Sequence, residues 1–351
     1  MRRVAHWGTG STGRLALQGI IGHPDLELVG LYVARPERAG LDAGELCGRP
    51  PTRILATNDV EELLALDFDC LSYFGDGSHI PDIMRCLGSG RDVVTTSLAG
   101  HILPHQLPES VRRPMEDACR SGASALFATG IEPGFASDLL PHTLLTVSDE
   151  IRRVHVQEIA HYGDYGVEAV FRAWGFGSRP GEDIPLFTGD TLVRLWGGVA
   201  RQMAADLGVD VDGVRLVTES AVTDHDIDTA CGPVATGTVA AVRFELHGLV
   251  GDEPFTILEH VNHVDPSVAP EWNAGVTGGD TVYRVLVEGR PDMTCTLVLP
   301  RVDGESHGLI ATAMRAINAI PVLADAPPGI QDPLSVPPRP GRHLTLPQRP
   351  R

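Results

Sequence analysis

The clearest chemistry lies at the start of the chain. There Gly8-Thr9-Gly10-Ser11-Thr12-Gly13 joins an apolar run, Arg3–Trp7, to Arg14-Leu15-Ala16-Leu17. A G-x-G-x-x-G turn between strand and helix suits a dinucleotide. The first glycine permits the tight turn, the second lets a pyrophosphate reach the backbone, and the third lets helix pack on strand. The helix N-terminus adds free N–H groups and a positive dipole end. The tip of the second strand bears on which dinucleotide binds. An NAD site places a carboxylate there, about 20 residues on, against the ribose 2′-hydroxyl. Here Leu31-Tyr32-Val33 runs into Ala34-Arg35-Pro36-Glu37-Arg38. The guanidinium groups of Arg35 and Arg38 can pair bidentately with a 2′-phosphate. The reading favours NADP. NAD stays open, with both arginines solvated and Glu37 on the ribose.

Other strand ends could serve the same ligand. Tyr73-Phe74-Gly75 closes a strand, and the backbone of Phe74 and Gly75 would skirt the cofactor ribose. The hydroxyls of Thr95 and Thr96 could reach the nicotinamide amide. Their alternative is ordinary β-propensity at a strand end.

These residues need a scaffold. Strand candidates Arg3–Trp7, Glu27–Val33, Cys70–Phe74, Asp92–Thr96 and Ala123–Ala128 alternate with helix candidates Ser11–Ile21, Asp59–Leu66, His79–Leu87, Glu109–Ser121 and Phe135–Leu145. Strand–helix alternation predicts an α/β unit with a parallel sheet covered on both faces, a Rossmann domain over 1–150. Beyond it Ile151–Tyr162, Val234–Leu246, Phe255–Val264, Thr281–Glu288 and Met293–Leu299 alternate apolar with polar residues. That predicts an α+β domain over 151–325 on a mostly antiparallel sheet, with helices near Thr188–Leu207 and His307–Asn318. The Pro- and Arg-rich residues 326–351 read as an extended tail.

Composition excludes several chemistries. The 28 basic residues are all Arg, so no Walker lysine or Schiff-base lysine exists. A net charge of −18 disfavours nucleic acid and anionic membrane surfaces. The six cysteines form no C-x-x-C pair and read as free thiols of a reducing, cytoplasmic compartment. No signal peptide, membrane span or metal-ligand spacing is evident; His260 and His263, three apart on a strand, face opposite sides. No Gly-x-Ser-x-Gly elbow points to a hydrolase.

Further segments carry a resemblance. Asp42-Ala43-Gly44-Glu45-Leu46, Asp92-Val93-Val94-Thr95-Thr96, Thr129-Gly130-Ile131-Glu132-Pro133-Gly134-Phe135, Gly175-Phe176-Gly177 and Ala316-Ile317-Asn318-Ala319-Ile320-Pro321 join the glycine loop in a pattern similar to the dihydrodipicolinate reductase-like oxidoreductases. The resemblance is nearest to 2,4-diaminopentanoate dehydrogenase and the native amine dehydrogenases. It covers nearly the whole chain. It implies a homodimer and hydride transfer between NAD(P) and the imine or carbonyl carbon of a small amine or ketone. Dihydrodipicolinate reductase itself uses a lysine, which this chain lacks. The amine dehydrogenases place a Glu just after the strand matching Asp92–Thr96, where this chain reads Ser97-Leu98-Ala99-Gly100-His101. That departure gives weight to plain carbonyl or imine reduction.

The resemblance also nominates site residues. The Pro133 turn would close the nicotinamide pocket, making Glu132 an acid/base or amine-binding candidate; the alternative is a helix-capping carboxylate. His101 falls where the family Glu would stand, and could supply a proton or be a loop histidine. Tyr162 or His161 could protonate a carbonyl oxygen over the substrate, or form a polar strand end. A rival reading from another class is a redox-sensing regulator that holds a dinucleotide without turnover.

Overall fold

The structure is a computed structural model, and it describes residues 1–273, 281–302 and 304–344. Contacts divide the chain into two units, one of 1–135 with the chain from 309 onward, the other of 136–308.

The first unit starts with β1 (Arg2–Trp7), α1 (Ser11–Gly22), β2 (Leu26–Tyr32), α2 (Ala43–Cys47), β3 (Ala56–Thr57), α3 (Val60–Leu64), β4 (Cys70–Tyr73), α4 (Ile80–Gly88), β5 (Asp92–Thr95), α5 (Glu109–Gly122) and β6 (Ala125–Ala128). The second unit contains α6 (Leu139–Leu145), β7 (Glu150–His161), α7 (Glu168–Ala173), α8 (Thr191–Ala205), β8 (Gly213–Val222), β9 (Val239–Val250), β10 (Glu253–His263), α9 (Pro270–Asn273), β11 (Thr281–Arg290), β12 (Met293–Leu299), β13 (Arg301–Val302) and β14 (Glu305–Ser306). The chain ends with α10 (His307–Ile317), α11 (Ile320–Leu323) and β15 (Gly329–Gln331).

The seven strands of the first sheet run β15-β6-β5-β4-β1-β2-β3, and each pair is parallel. The order reverses between β1 and β4, the switch point where sheets of this kind bind ligands. Val4, Leu15, Ala16, Ile20, Val94 and Phe127 form a core with Ala313, Ile317 and Ile320. Burying each of those isoleucines stabilises the unit by roughly 1.5–3 kcal/mol. Late residues therefore complete an early sheet. The contact division falls at 135 and 308, beside the 150 and 325 read from the sequence.

The expected tail contributes one strand. β15 pairs with β6 at the sheet edge. Pro327, Pro328 and Pro333 bracket it, and an edge position needs hydrogen bonds on one side only. Residues 345–351 of the expected tail lie outside the described residues.

The second sheet runs β12-β11-β7-β10-β9-β8. It is antiparallel throughout except for the β7–β10 pair. The α8 helix lies against it, and Thr256 Oγ1 donates to Ala200 O at 2.8 Å. Three expectations shift. The strand expected from Val234 begins at Val239, because Gly237 takes φ +78° and Thr238 N turns back to Ala235 O. The helix expected from Phe135 begins at Leu139, because Asp138 before it takes φ −125° and ψ −79°, outside the helical region. Strand β8 was not expected, and its residues are mostly half-buried or exposed, as an edge allows. Among the described residues no helix is long and apolar enough to cross a membrane. All six cysteines are free, four of them buried.

Candidate functional site

The glycine loop leaves β1 at the switch point. Gly8 has φ +104°, and a Cβ there would lie 2.5 Å from the Phe74 carbonyl oxygen. A Cβ on Gly13 would lie 2.4 Å from Gly8 O. Packing alone thus demands both glycines, and Phe74 forms their wall. Gly10 is different. A Cβ there would meet nothing within 4 Å. Gly10 caps α1 without a side-chain hydrogen bond, and no acidic residue stands in the first turn. The exposed Ser11 and half-buried Thr12 follow it. Uncapped N–H groups beside open space fit a pyrophosphate.

A residue absent from the sequence reading braces this loop. His6, fully buried in β1, has Nε2 at 2.8 Å from Gly8 O and 3.0 Å from Gly13 O. Its Nδ1 lies 3.1 Å from Ser72 Oγ. The network assigns the proton to Nε2, which donates to both carbonyls, while Nδ1 accepts from the serine. Burial pushes the imidazole down to about 4, against the carbonyls, which favour its charged form. A histidine two residues before the loop was the available signal.

At the tip of β2, Arg35 is exposed. Arg38, on the turn Pro36–Arg38, donates from Nη1 to Thr9 O and Thr9 Oγ1, both at 2.9 Å. Arg38 and Thr9 are thus brought together, whereas Arg35 stands apart. Gly75 is half-buried, and a Cβ there would lie 2.5 Å from Tyr73 Oη. Thr95 is buried and its Oγ1 accepts from Ser97 N at 2.9 Å, so this hydroxyl shapes its own turn. Thr96 is half-buried. Thr129 N donates to Thr95 O at 2.9 Å, joining the ends of β5 and β6.

The turn after β6 carries Glu132 and Pro133, both half-buried. Its fold needs Gly134, where a Cβ would lie 2.6 Å from Gly130 N. His101 ends the short turn Ala99–His101. It is buried, and that burial lowers its pKa below the ordinary value. A neutral imidazole can accept a proton there.

In the second unit, β7 ends at His161, and Tyr162 follows it. His161 packs on His263 at 5.5 Å, and its Nε2 lies 3.8 Å from Asp164. Burial lowers His161, with Asp164 opposing, and pushes His263 down to about 4. Tyr162 joins an aromatic group, 6.1 Å from Trp174 and 5.9 Å from Phe176.

Strand register then assembles a row that a linear reading of the sequence cannot show. Tyr283, Glu158, His260 and Phe244 are direct partners across β11, β7, β10 and β9. Tyr283 Oη donates to Glu158 Oε1 at 3.1 Å. His260 Nδ1 lies 3.3 Å from Glu158 Oε2. His260 stacks on Phe244 at 4.7 Å and meets Trp196 edge-on at 5.5 Å. The preceding row on the same face, Val285, Val156, Leu258 and Leu246, is apolar and buried. Core therefore gives way to ionisable groups within one face. His260 and His263 occupy opposite faces, as the alternation predicts.

Comparison with known proteins adds family evidence. Residues 135–340 match the 2,4-diaminopentanoate dehydrogenase C-terminal domain. An amine dehydrogenase of Streptomyces virginiae is 35% identical over 346 residues, covering 95% of this chain and 96% of that protein. A 2,4-diaminopentanoate dehydrogenase of Acetoanaerobium sticklandii is 26% identical over 238 residues, covering 66% of this chain and 62% of that protein. The structure of an amine dehydrogenase from Mycobacterium smegmatis superposes with a TM-score of 0.79, covering 98% of each chain at 19% identity, which is a likeness of fold.

Proposed function

This chain belongs to the family of the 2,4-diaminopentanoate dehydrogenases and amine dehydrogenases, and from that premise we propose how it handles cofactor and substrate. It is an NAD(P)-dependent oxidoreductase acting on the C–N bond of an amine or imine. The observation that carries the cofactor reading is the loop at Gly8–Gly13, open over Gly10 and uncapped at α1. The nicotinamide, when bound, supplies or accepts the hydride pair. The chain's own residues bind, orient and manage protons.

NADP is the preferred cofactor in this proposal. No carboxylate stands at the tip of β2, and Arg35 is exposed there to meet a 2′-phosphate. Arg38 is tied to Thr9 and holds the loop beneath it. Ser11 and Thr12 N–H groups take the pyrophosphate, with Gly8, Gly10 and Gly13 shaping the approach. Phe74, Gly75, Thr95, Thr96 and Pro133 border the cofactor's ribose and amide. Glu132 and neutral His101 are proposed proton carriers. Tyr162 is proposed to orient the substrate's polar atom, with His161 as its support. The six free thiols suit a reducing, cytoplasmic compartment. The assembly is proposed as a homodimer, which light scattering reads directly.

The test is absorbance at 340 nm with NADPH, a panel of small ketones and aldehydes, and ammonium present or absent. Ammonium-dependent loss of NADPH is expected. Tight NADPH binding with no turnover on any member would replace this reading with a dinucleotide sensor. Turnover without ammonium would make the enzyme a carbonyl reductase.

A further inference from the structure

The chain has no Glu in the Thr96–His101 segment directly after β5, yet its second unit holds a carboxylate in an unusual setting. Glu158 sits at the end of a buried apolar face, with a side chain 16% exposed. Tyr283 and His260, its partners on either side, are 1% and 3% exposed. Burying ionisable groups among apolar side chains is costly, and such groups cluster at functional sites.

Two further side chains point to that ligand. Asn262, two residues after His260 on the same face of β10, is 1% exposed. Its Nδ2 has no hydrogen-bond partner among the described residues. Trp174, 3% exposed, stacks on Phe244 at 5.9 Å. Its Nε1 is likewise buried without a partner among the described residues. Two unsatisfied donors each carry a desolvation cost, which a bound acceptor would relieve. A carboxylate, aromatic rings and two spare donors match a small primary amine and the oxygen that replaces its nitrogen. The rings of Trp174, Trp196 and Phe244 also suit a cation.

We propose that Glu158 receives the substrate's ammonium group and takes one of its protons, the role the family Glu fills elsewhere. This rests on the amine–imine reading above. In the step, one N–H bond of the ammonium breaks and an O–H bond forms on Glu158. The ammonium becomes a neutral amine and the carboxylate a carboxylic acid, so atoms and charge balance in the proton transfer. The freed lone pair is what C=N formation needs, and a nicotinamide, when bound, would supply the hydride acceptor for that step. His260 and Tyr283 are positioning residues that hold the carboxylate. Asn262 Nδ2 and Trp174 Nε1 donate to the carbonyl or water oxygen after hydrolysis.

Tryptophan fluorescence tests this without turnover, because Trp196 and Trp174 lie in the same aromatic group. The full-length protein is titrated with cyclohexylammonium chloride and, separately, with neutral cyclohexanol. Wild type binds the ammonium, and Glu158→Gln weakens that binding by about 10- to 100-fold while cyclohexanol binding stays unchanged. Glu158→Asp, which keeps the charge, recovers part of the loss. Ammonium binding that Glu158→Gln leaves intact, or that wild type lacks, overturns the proposal. Should Glu158→Gln not fold, wild type is compared with N,N,N-trimethylcyclohexylammonium, which has no N–H. A hydrogen-bonding carboxylate prefers the primary ammonium at least 10-fold, and equal affinities overturn the proposal. Failure of the 340 nm assay with ammonium sinks the reaction reading; failure of the fluorescence test sinks this site alone.

Discussion

Replacing His6 by Gln tests how the cofactor loop is held. Glutamine keeps an N–H donor near the place of imidazole Nε2 and removes the titration. In the native fold His6 is fully buried, braced on Gly8 and Gly13 carbonyls, and depressed to about 4 from an ordinary 6.5. Above pH 6.5 folded and unfolded states both carry the neutral ring, and the fold keeps its full stability. As pH falls below 6.5 the unfolded chain takes a proton that the folded chain refuses. Stability then declines until pH reaches the folded value of about 4. That gap, at about 1.4 kcal/mol per pH unit, amounts to about 3 kcal/mol. His263 is depressed to about 4 in the same direction, so wild type alone cannot assign the loss. The difference between wild type and His6→Gln can, because His263 is common to both. Urea unfolding at pH 7 and pH 4.5 is followed by fluorescence, with Trp7 beside the substitution. Wild type is expected to lose about 2–3 kcal/mol more than the variant across that interval. Parallel losses would refute the reasoning, and show that His6 contributes no pH dependence.

Other substitutions address the remaining roles. Gly8→Ala places a Cβ 2.5 Å from a carbonyl at φ +104°, so thermal unfolding should show a loss of at least about 1–3 kcal/mol. Gly10→Ala meets open space; it should leave the melting temperature within a few degrees while weakening NADPH binding at least about 10-fold, and unchanged affinity would remove the pyrophosphate from this loop. Arg35→Ala should weaken NADPH by about 10- to 100-fold and NADH little, measured by fluorescence titration; equal losses would dismiss the 2′-phosphate role. Glu132→Gln should lower kcat about 100-fold or more while the NADPH dissociation constant stays within about twofold; unchanged kcat would return Glu132 to a role in the turn.

The first sheet was legible because its chemistry is local. Each strand of the series from Arg2 to Ala128 is followed by a helix, and the glycine loop marks the only such junction with two sterically forced glycines and an open third. Boundaries slipped where backbone conformation, not hydrophobic pattern, decided them. Gly237 at positive φ and Asp138 at φ −125° and ψ −79° cut elements that the apolar pattern would have continued. The closing strand β15 was hidden for another reason. Three residues between prolines carry no periodicity, and their place in the sheet comes from α10 and α11 packing on β1 and α1 side chains far away in sequence.

The site in the second unit was illegible by a deeper limit. Alternation along β7 separates Glu158 from His161, but it says nothing of which residue on another strand stands opposite. Register supplies that, and a slip of one residue would send every partner to the other face. With the pairing Tyr283–Glu158–His260–Phe244, an acid, an imidazole and a phenol from three strands become neighbours. Their positions span more than a hundred residues of sequence, so no motif could hold them. This also changes what the missing lysines and the missing Glu directly after β5 imply. Proton handling need not fall to the loop at His101. It can rest on a carboxylate fixed by two rigid strands on either side, where side-chain freedom is smallest and geometry is set by the sheet.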